Sequence, residues 1–171
     1  MTNTGIGTLI YLSAMSPPYM QEADILISDG PGTCAKYEAQ RPFVLIRDVN
    51  RTAVNESIAT GKMYVNSIMN PDNVNADTGY QLENSFSFTY VMIPPGTAMS
   101  PHYLAGTTEA DYVLSGTADF MVNETEYQVC QGGLIYIPPD QPRHVANKGT
   151  EPVELISVCD PMWKQENEFP V

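Results

Sequence analysis

Short runs in which apolar and polar residues alternate make up most of the chain beyond its first quarter. In residues 85–93, Phe88 and Tyr90 fall on one face of an extended strand and Ser87 and Thr89 on the other, because side chains alternate with a period of two. Pairs such as Ser-Gly, Asn-Glu and Pro-Asp separate the runs, and they supply the fixed or positive φ angles that tight turns need. This pattern predicts an all-β barrel or sandwich.

The predicted strands are short and follow one another closely along the chain. They are residues 42–47, 62–69, 85–93, 110–114, 118–122, 127–129, 134–137, 143–147 and 153–159. Residues 1–41 have no clear period and contain several turn-forming prolines and glycines. We expect them to form an irregular extension that wraps the barrel or contacts a second subunit, and we expect residues 164–171 to form a C-terminal tail.

Composition narrows the classes of partner. The chain has 171 residues, which suits one domain with a hydrophobic core. Its 8 basic and 20 acidic residues give a net charge of −12, and the basic residues are scattered. Because no basic patch is available to neutralise phosphates, nucleic acids and anionic membrane surfaces are not expected as partners.

The cysteines and the N-terminal sequence favour a cytoplasmic protein. Three cysteines without close spacing predict free thiols in a reducing compartment rather than a disulfide framework or a cysteine-based zinc site. The apolar run of residues 6–15 has no positive residue before it, which argues against a secretory signal. It is also shorter than the roughly 20 residues that cross a bilayer.

Only two histidines occur in the chain, and each lies in a recognisable motif. The first motif is Gly96, five residues, His102-x-Leu104, four residues, Glu109, six residues and Gly116. The second is Gly133, five residues, Pro139-x-Gln141, two residues and His144, with Asn147 three residues later. Neutral imidazole is the commonest metal ligand in proteins, so these motifs carry most of the functional signal.

Together the two motifs resemble those of the cupins, which fold as a double-stranded β-helix or jelly-roll barrel. The resemblance covers roughly residues 80–163 and implies a barrel over residues 42–163. Two positions depart from the family pattern: Leu104 replaces a histidine that is a metal ligand, and Gln141 replaces a glycine. Asn147 also comes one residue early.

The resemblance implies one divalent metal ion, Fe, Zn, Ni or Mn, held by His102, Glu109 and His144. Two imidazoles and one carboxylate form the facial set of many non-haem iron oxygenases, with positions left open for substrate. Glu109 could instead act as a base. Asp111 shares its strand face and could be a further ligand, a base or a partner that raises a neighbouring pKa.

The alternative is a barrel that has kept its fold and lost its metal, with both histidines serving as hydrogen-bonded pocket residues. Leu104 favours this alternative because it makes the pocket less polar. Tyr90 and Tyr136 are further pocket candidates, since a phenol can donate to a ligand while its ring packs. Arg143 could bind a substrate carboxylate, but as the neighbour of His144 on a strand it is expected to face solvent.

These motifs lead to two main functional hypotheses and a weaker third. The first is a metal-dependent cupin that acts on a small organic molecule as an oxygenase, isomerase, cyclase or lyase. The second is a non-catalytic cupin that binds or senses a small molecule, and the third is a degenerate barrel that serves as a dimer scaffold. The family resemblance also implies a homodimer.

Overall fold

The computed structural model describes residues 5–8, 11–15, 63–72 and 85–171. The chain divides into two compact units, Met1–Val44 and Leu45–Val171. The strand predicted at residues 42–47 and most of the predicted N-terminal extension lie outside the described residues. All ten described strands belong to the second unit.

Two antiparallel five-stranded sheets make up this unit. Sheet A has the order β1-β2-β9-β4-β7, and sheet B has the order β10-β3-β8-β5-β6. The strands are β1 Tyr64–Met69, β2 Ser87–Ile93, β3 His102–Leu104, β4 Thr108–Ser115, β5 Thr117–Val122, β6 Thr125–Cys130, β7 Leu134–Ile137, β8 Arg143–Ala146, β9 Val153–Asp160 and β10 Glu168–Pro170.

The all-β architecture predicted from the alternating pattern and the jelly-roll barrel implied by the cupin resemblance are both confirmed. In the later part of the barrel, sequential strands alternate between the two sheets, as in a double-stranded β-helix. In the described ranges, the only regular helix longer than two residues is a 3-10 turn at Gln165–Asn167. None of the described residues forms a helix that is both long enough and apolar enough to cross a membrane.

The core lies between the sheets and follows the period of two. Val91 and Ile93 of β2 and Val113 of β4 come from sheet A, whereas Phe120 of β5 and Val145 of β8 come from sheet B. All five side chains are at most 5% exposed. Burying a side chain of this size contributes about 1.5–3 kcal/mol each, so the two inner faces hold the sheets together.

Two turns show why the chain reverses direction where the sequence predicts turns between strands. Asn123 and Glu124 both have positive φ, 47° and 65°, in the two-residue connection between β5 and β6, as a type I′ hairpin turn requires. Gly116, between β4 and β5, has φ of 77°, and a Cβ atom there would lie 2.7 Å from the carbonyl oxygen of Pro152. That position therefore requires glycine.

Candidate functional site

One end of the barrel interior is polar, and sheet A supplies its carboxylates. Glu109 and Asp111 lie on the inner face of β4, and in the β-ladder they pair with Cys159 and Ser157 of β9 respectively. All four side chains line a cavity between the sheets. Directly paired residues on one face of an antiparallel ladder have Cβ atoms about 4.5–5.5 Å apart, so the four groups form one compact cluster.

Sheet B supplies the imidazole and the positive charge. His102 of β3 and Arg143 of β8 are direct partners in the ladder, and both are buried, at 8% and 4% exposure. Arg143 shares its face of β8 with the core residue Val145. His144 therefore belongs to the opposite face, where its ladder partner is Met121, although it is among the residues that border the cavity.

A buried ion pair joins the two sheets across the cavity. Arg143 donates from Nε to Oε2 of Glu109 at 2.5 Å, and the two side chains are only 3% and 16% exposed. Ser157 donates from Oγ to the other carboxylate oxygen of Glu109 at 2.8 Å. The guanidinium Nη1 lies 3.5 Å from the Gln141 carbonyl oxygen, while Nη2 is buried without a hydrogen-bond partner among the described residues.

Burial governs the ionisation of the remaining acids in this cluster. Desolvation raises the pKa of Asp111 well above its ordinary value, and the negative charge of Glu109 raises it further, against smaller opposing effects of Ser157 and Arg143. Burial also raises the pKa of the Cys159 thiol, with added repulsion from Glu109 and Asp111. Asp111 is thus favoured as a neutral carboxylic acid and Cys159 as a neutral thiol.

His102 lines the cavity, and a backbone contact of its Nδ1 atom defines the tautomer of the neutral ring. Its Nδ1 atom lies 2.9 Å from the backbone carbonyl oxygen of Ser100. Because a carbonyl oxygen only accepts hydrogen bonds, this contact places a proton on Nδ1. In the neutral ring, Nε2 is then the acceptor, and His102 can take a hydrogen bond or a proton from a molecule in the cavity.

The cavity has a volume of about 330 Å³, within the range of small-molecule sites. Residues from near the C-terminus form part of its wall: Trp163, Gln165 and Glu168. Trp163 donates from Nε1 to Glu168 at 2.8 Å, and β10 pairs with β3. The predicted C-terminal tail therefore contains a strand and a wall of the cavity. The apolar lining side chains are Val65, Val91, Met99, Leu104, Phe120, Ile137, Val145 and Leu155.

Comparison with known proteins identifies the part of the chain that carries the candidate site. Residues 89–159 match the Cupin_2 family, described as a cupin domain. Residues 89–159 are a cupin domain. The cupin assignment made from the two motifs is thereby confirmed.

Solved structures agree with the cupin fold. A predicted oxalate decarboxylase from Thermotoga maritima has a TM-score of 0.58 at 15% identity, covering 68% of this chain and 99% of that one. A cupin 2 conserved barrel domain protein from Salinispora arenicola has a TM-score of 0.53 at 17% identity, covering 73% and 92%. TT1209 from Thermus thermophilus has a TM-score of 0.52 at 24% identity, covering 69% and 98%. These similarities concern the fold alone.

One curated relative, an uncharacterized protein of Methanocaldococcus jannaschii, is 26% identical over 81 residues. The alignment covers 47% of this chain and 65% of that protein. The chain thus spans less than two thirds of that relative's length.

The backbone shows that the second cupin motif lies one residue earlier than its placement at Gly133 from the sequence. Asp140 has φ of 63°, and Gln141 is not among the described residues with positive φ, so Asp140 occupies the glycine position of the motif. The motif then begins at Gly132 and ends at Asn147, and all of its spacings match the family pattern. In this register Arg143, not His144, occupies the position of the motif histidine.

The predicted metal set is therefore not assembled as expected. His102, Glu109 and His144 all border the cavity, but the side chain of His144 belongs to the other face of β8, and Glu109 is engaged by the guanidinium of Arg143. Within the described ranges, no group of three or more His, Cys, Asp or Glu side chains is placed to hold a metal ion. The residues present at this cupin site do not fit a divalent metal, because a guanidinium and Leu104 stand at two of the ligand positions.

Two of the predicted pocket residues also lie elsewhere. Tyr90 is on the outer face of β2, since its neighbours Thr89 and Val91 line the cavity, and burial with a hydrogen bond to Glu154 raises its pKa to about 12. Tyr136 is 61% exposed on β7. Leu104, by contrast, is 2% exposed and lines the cavity.

The geometry also brings in residues that the sequence analysis did not select. Arg143 was expected to face solvent, but it is the buried cation of the site. Ser157 and Trp163 gave no sequence signal, because each depends on strand pairing distant in the chain. The second motif contains the signal for Arg143, because in the sequence-based register Gln141 stands where the family has glycine and Asn147 departs from the family spacing.

Asp111 should make the stability of the protein depend on pH. In the unfolded chain its carboxyl ionises with a pKa of about 3.9, whereas in the folded protein burial beside Glu109 raises the pKa. Above about pH 4 the unfolded state therefore binds fewer protons than the native state, and stability falls as pH rises towards the folded pKa. Asp111→Asn removes this ionisation.

We expect the free energy of unfolding of Asp111→Asn, minus that of the wild type, to increase from about pH 4 to about pH 8. Urea denaturation at a series of pH values measures this difference. Asp119→Asn is a control, because Asp119 is only partly buried on the other sheet. A difference for Asp111→Asn that is constant over this range would show that Asp111 ionises normally in the folded protein.

Proposed function

We propose that this cupin barrel binds a small organic molecule in its cavity through Arg143, without a metal ion. The observation that carries the proposal is the buried guanidinium of Arg143, which lines the cavity and has Nη2 without a partner among the described residues. An unsatisfied buried donor costs about 1–3 kcal/mol. A ligand oxygen that accepts a hydrogen bond from Nη2 would remove this cost. Burial of the apolar part of the ligand would add to the binding free energy.

The rest of the cavity supports such a ligand. Leu104, Phe120 and Leu155 provide apolar surface, whereas His102 and Asp111 provide polar groups at the same end as Arg143. A mostly apolar cavity with a few convergent polar groups is the usual form of a small-molecule site. The carboxylate of Glu109 fixes the plane of the guanidinium and so orients the free Nη2 donor.

Among the reaction types predicted from sequence, those that proceed by proton transfer are best supported. His102 offers Nε2 as a base, and Asp111 is a buried acid with a raised pKa. Isomerisation, cyclisation and elimination can use such a pair on a carbonyl compound held by Arg143. Oxygenation and other metal-dependent chemistry would need ligands that Leu104 and Arg143 replace. Binding without turnover remains the second hypothesis and needs only Arg143 and the apolar wall.

Ligand binding can be followed through Trp163, the single tryptophan of the chain, which borders the cavity. We expect members of a fragment collection of amides, ketones and carboxylic acids to change its fluorescence in the wild type. Arg143→Lys should weaken binding of those fragments about ten- to a hundredfold, because a hydrogen bond to a charged group contributes about 1.5–3 kcal/mol. Lysine cannot reproduce the planar, forked set of N–H donors of the guanidinium.

His144→Ala is the matched control, because it removes the neighbouring residue on the opposite face of β8. We expect its affinity for the same fragments to stay within about threefold of the wild type. Equal loss in both variants, or no loss in Arg143→Lys, would contradict the assignment of Arg143 as the anchor. Thermal unfolding of each variant shows that the barrel remains folded during the titration.

A further inference from the structure

The charges around the cavity are already balanced before any ligand enters. Among the described residues that line it, Arg143 is the only lysine or arginine. Its charge is matched by Glu109 at 2.5 Å. Two more carboxyl groups, those of Asp111 and Glu168, also line the cavity, and the whole chain carries a net charge of −12. Within the described part of the chain, no surplus positive charge is left for an anionic ligand.

We propose that the ligand is an uncharged carbonyl compound, such as a carboxamide or a hydroxyketone, and not a carboxylate or a phosphate. This inference rests on the proposed function and names its ligand class. The free Nη2 of Arg143 would donate to the carbonyl oxygen. The apolar wall would cover the remainder of the molecule.

The hydrogen-bonding groups of the cavity match a neutral ligand that both accepts and donates. Arg143 and His102 are direct partners across β3 and β8, so their polar ends approach the cavity side by side. In the neutral ring, the Nδ1 contact of His102 with Ser100 leaves Nε2 as an acceptor. A carboxamide carries both complementary groups, an oxygen for Arg143 and an N–H for His102, whereas a carboxylate offers His102 Nε2 only another acceptor.

Desolvation adds to this preference. A carboxylate entering the cavity would lose its hydration shell and would face Glu109 as well as Arg143, so the attraction of the guanidinium is largely offset. A neutral amide loses less hydration and still accepts from the charged donor. We therefore expect the neutral member of a shape-matched pair to bind at least about tenfold more tightly than the anion.

The test compares benzamide with benzoate, and butyramide with butyrate, by Trp163 fluorescence and by isothermal titration calorimetry at neutral pH. In the wild type we expect each amide to bind at least about tenfold more tightly than its carboxylate. Equal or tighter binding of the carboxylates would overturn the inference and leave Arg143-dependent binding intact. Failure of all four compounds to bind would overturn both the inference and the proposed function.

Glu109→Gln provides a variant in which the preference should reverse. The substitution keeps a group of the same shape beside Arg143 and removes the charge that balances it. Benzoate should then bind more tightly than benzamide, because the guanidinium is left with an unmatched positive charge. An unchanged preference for benzamide in folded Glu109→Gln would contradict the charge-balance argument. The wild-type comparison is decisive by itself if this variant does not fold.

Discussion

Replacement of Arg143 by methionine is expected to lower the free energy of unfolding by about 3 kcal/mol, at the lower end of the roughly 3–5 kcal/mol seen when one partner of a buried ion pair is removed. The substitution leaves the carboxylate of Glu109 in the barrel with Ser157 as its remaining hydrogen-bond donor among the described residues. Glu109 is 16% exposed, so limited hydration should keep the loss from being larger.

The double substitution Arg143→Met with Glu109→Leu should recover most of this loss. An apolar pair of similar volume removes both the attraction and the desolvation of two charges, and such replacements are often neutral or stabilising. We therefore expect the double variant to be more stable than Arg143→Met alone, although it should no longer bind ligand. Urea denaturation of the wild type, both single variants and the double variant gives the interaction energy of the pair.

The Lys148–Glu126 pair is a matched control on the surface. These side chains are 60% and 68% exposed, with 3.1 Å between Nζ and Oε1, so Lys148→Met should change stability by less than about 1 kcal/mol. A similar small change for Arg143→Met would mean that the ion pair between the sheets is solvated in solution. The cavity would then be wetter than the structure indicates, and the argument for a neutral ligand would lose its basis.

Most strands could be predicted from sequence because the features that specify them lie within a few residues of one another. In β2, β5 and β7, side-chain alternation and the flanking turn residues both depend on only a few neighbouring positions, and the predicted bounds agree with the structure within about two residues. The strands β3 and β10 are three residues long. A period of two cannot be recognised over so short a run, and the pairing of β10 with β3 joins residues about 65 positions apart.

The site was harder to predict because a shift of one residue exchanges the two faces of a strand. With the second motif placed at Gly133, His144 faced the cavity and Arg143 faced solvent. Placing it at Gly132 reverses both orientations and explains the positive φ of Asp140. Spacing alone did not decide the register, since two adjacent glycines and two adjacent prolines allow either alignment.

If Arg143 and Leu104 occupy the positions of two metal ligands, replacing both with histidine should create a metal site. Leu104 and His102 are both buried on one face of β3, and Arg143 is the ladder partner of His102. The variant Leu104→His with Arg143→His would present three imidazoles and Glu109 to one point in the cavity. Three or four such ligands suffice to hold Zn(II) or Co(II).

We expect the double variant to bind about one Zn(II) or Co(II) per chain, and the tag-free wild type to bind far less than one. Elemental analysis after gel filtration measures the stoichiometry, and the visible absorption of Co(II) reports its coordination. Leu104→His alone should bind metal weakly, because the guanidinium of Arg143 still forms an ion pair with the carboxylate of Glu109. Adding His144→Ala to the double variant should leave the bound metal unchanged.

The same measurements distinguish the two registers of the second motif. If His144 were a ligand, wild-type protein reconstituted with Fe(II), Zn(II), Ni(II) or Mn(II) would hold about one metal ion per chain, and His144→Ala would lose it. If Arg143 stands at the ligand position, His144→Ala has no metal to lose, and only the variants that replace Arg143 gain one. The identity of residue 143 would then determine whether this barrel holds a metal ion or a guanidinium opposite Glu109.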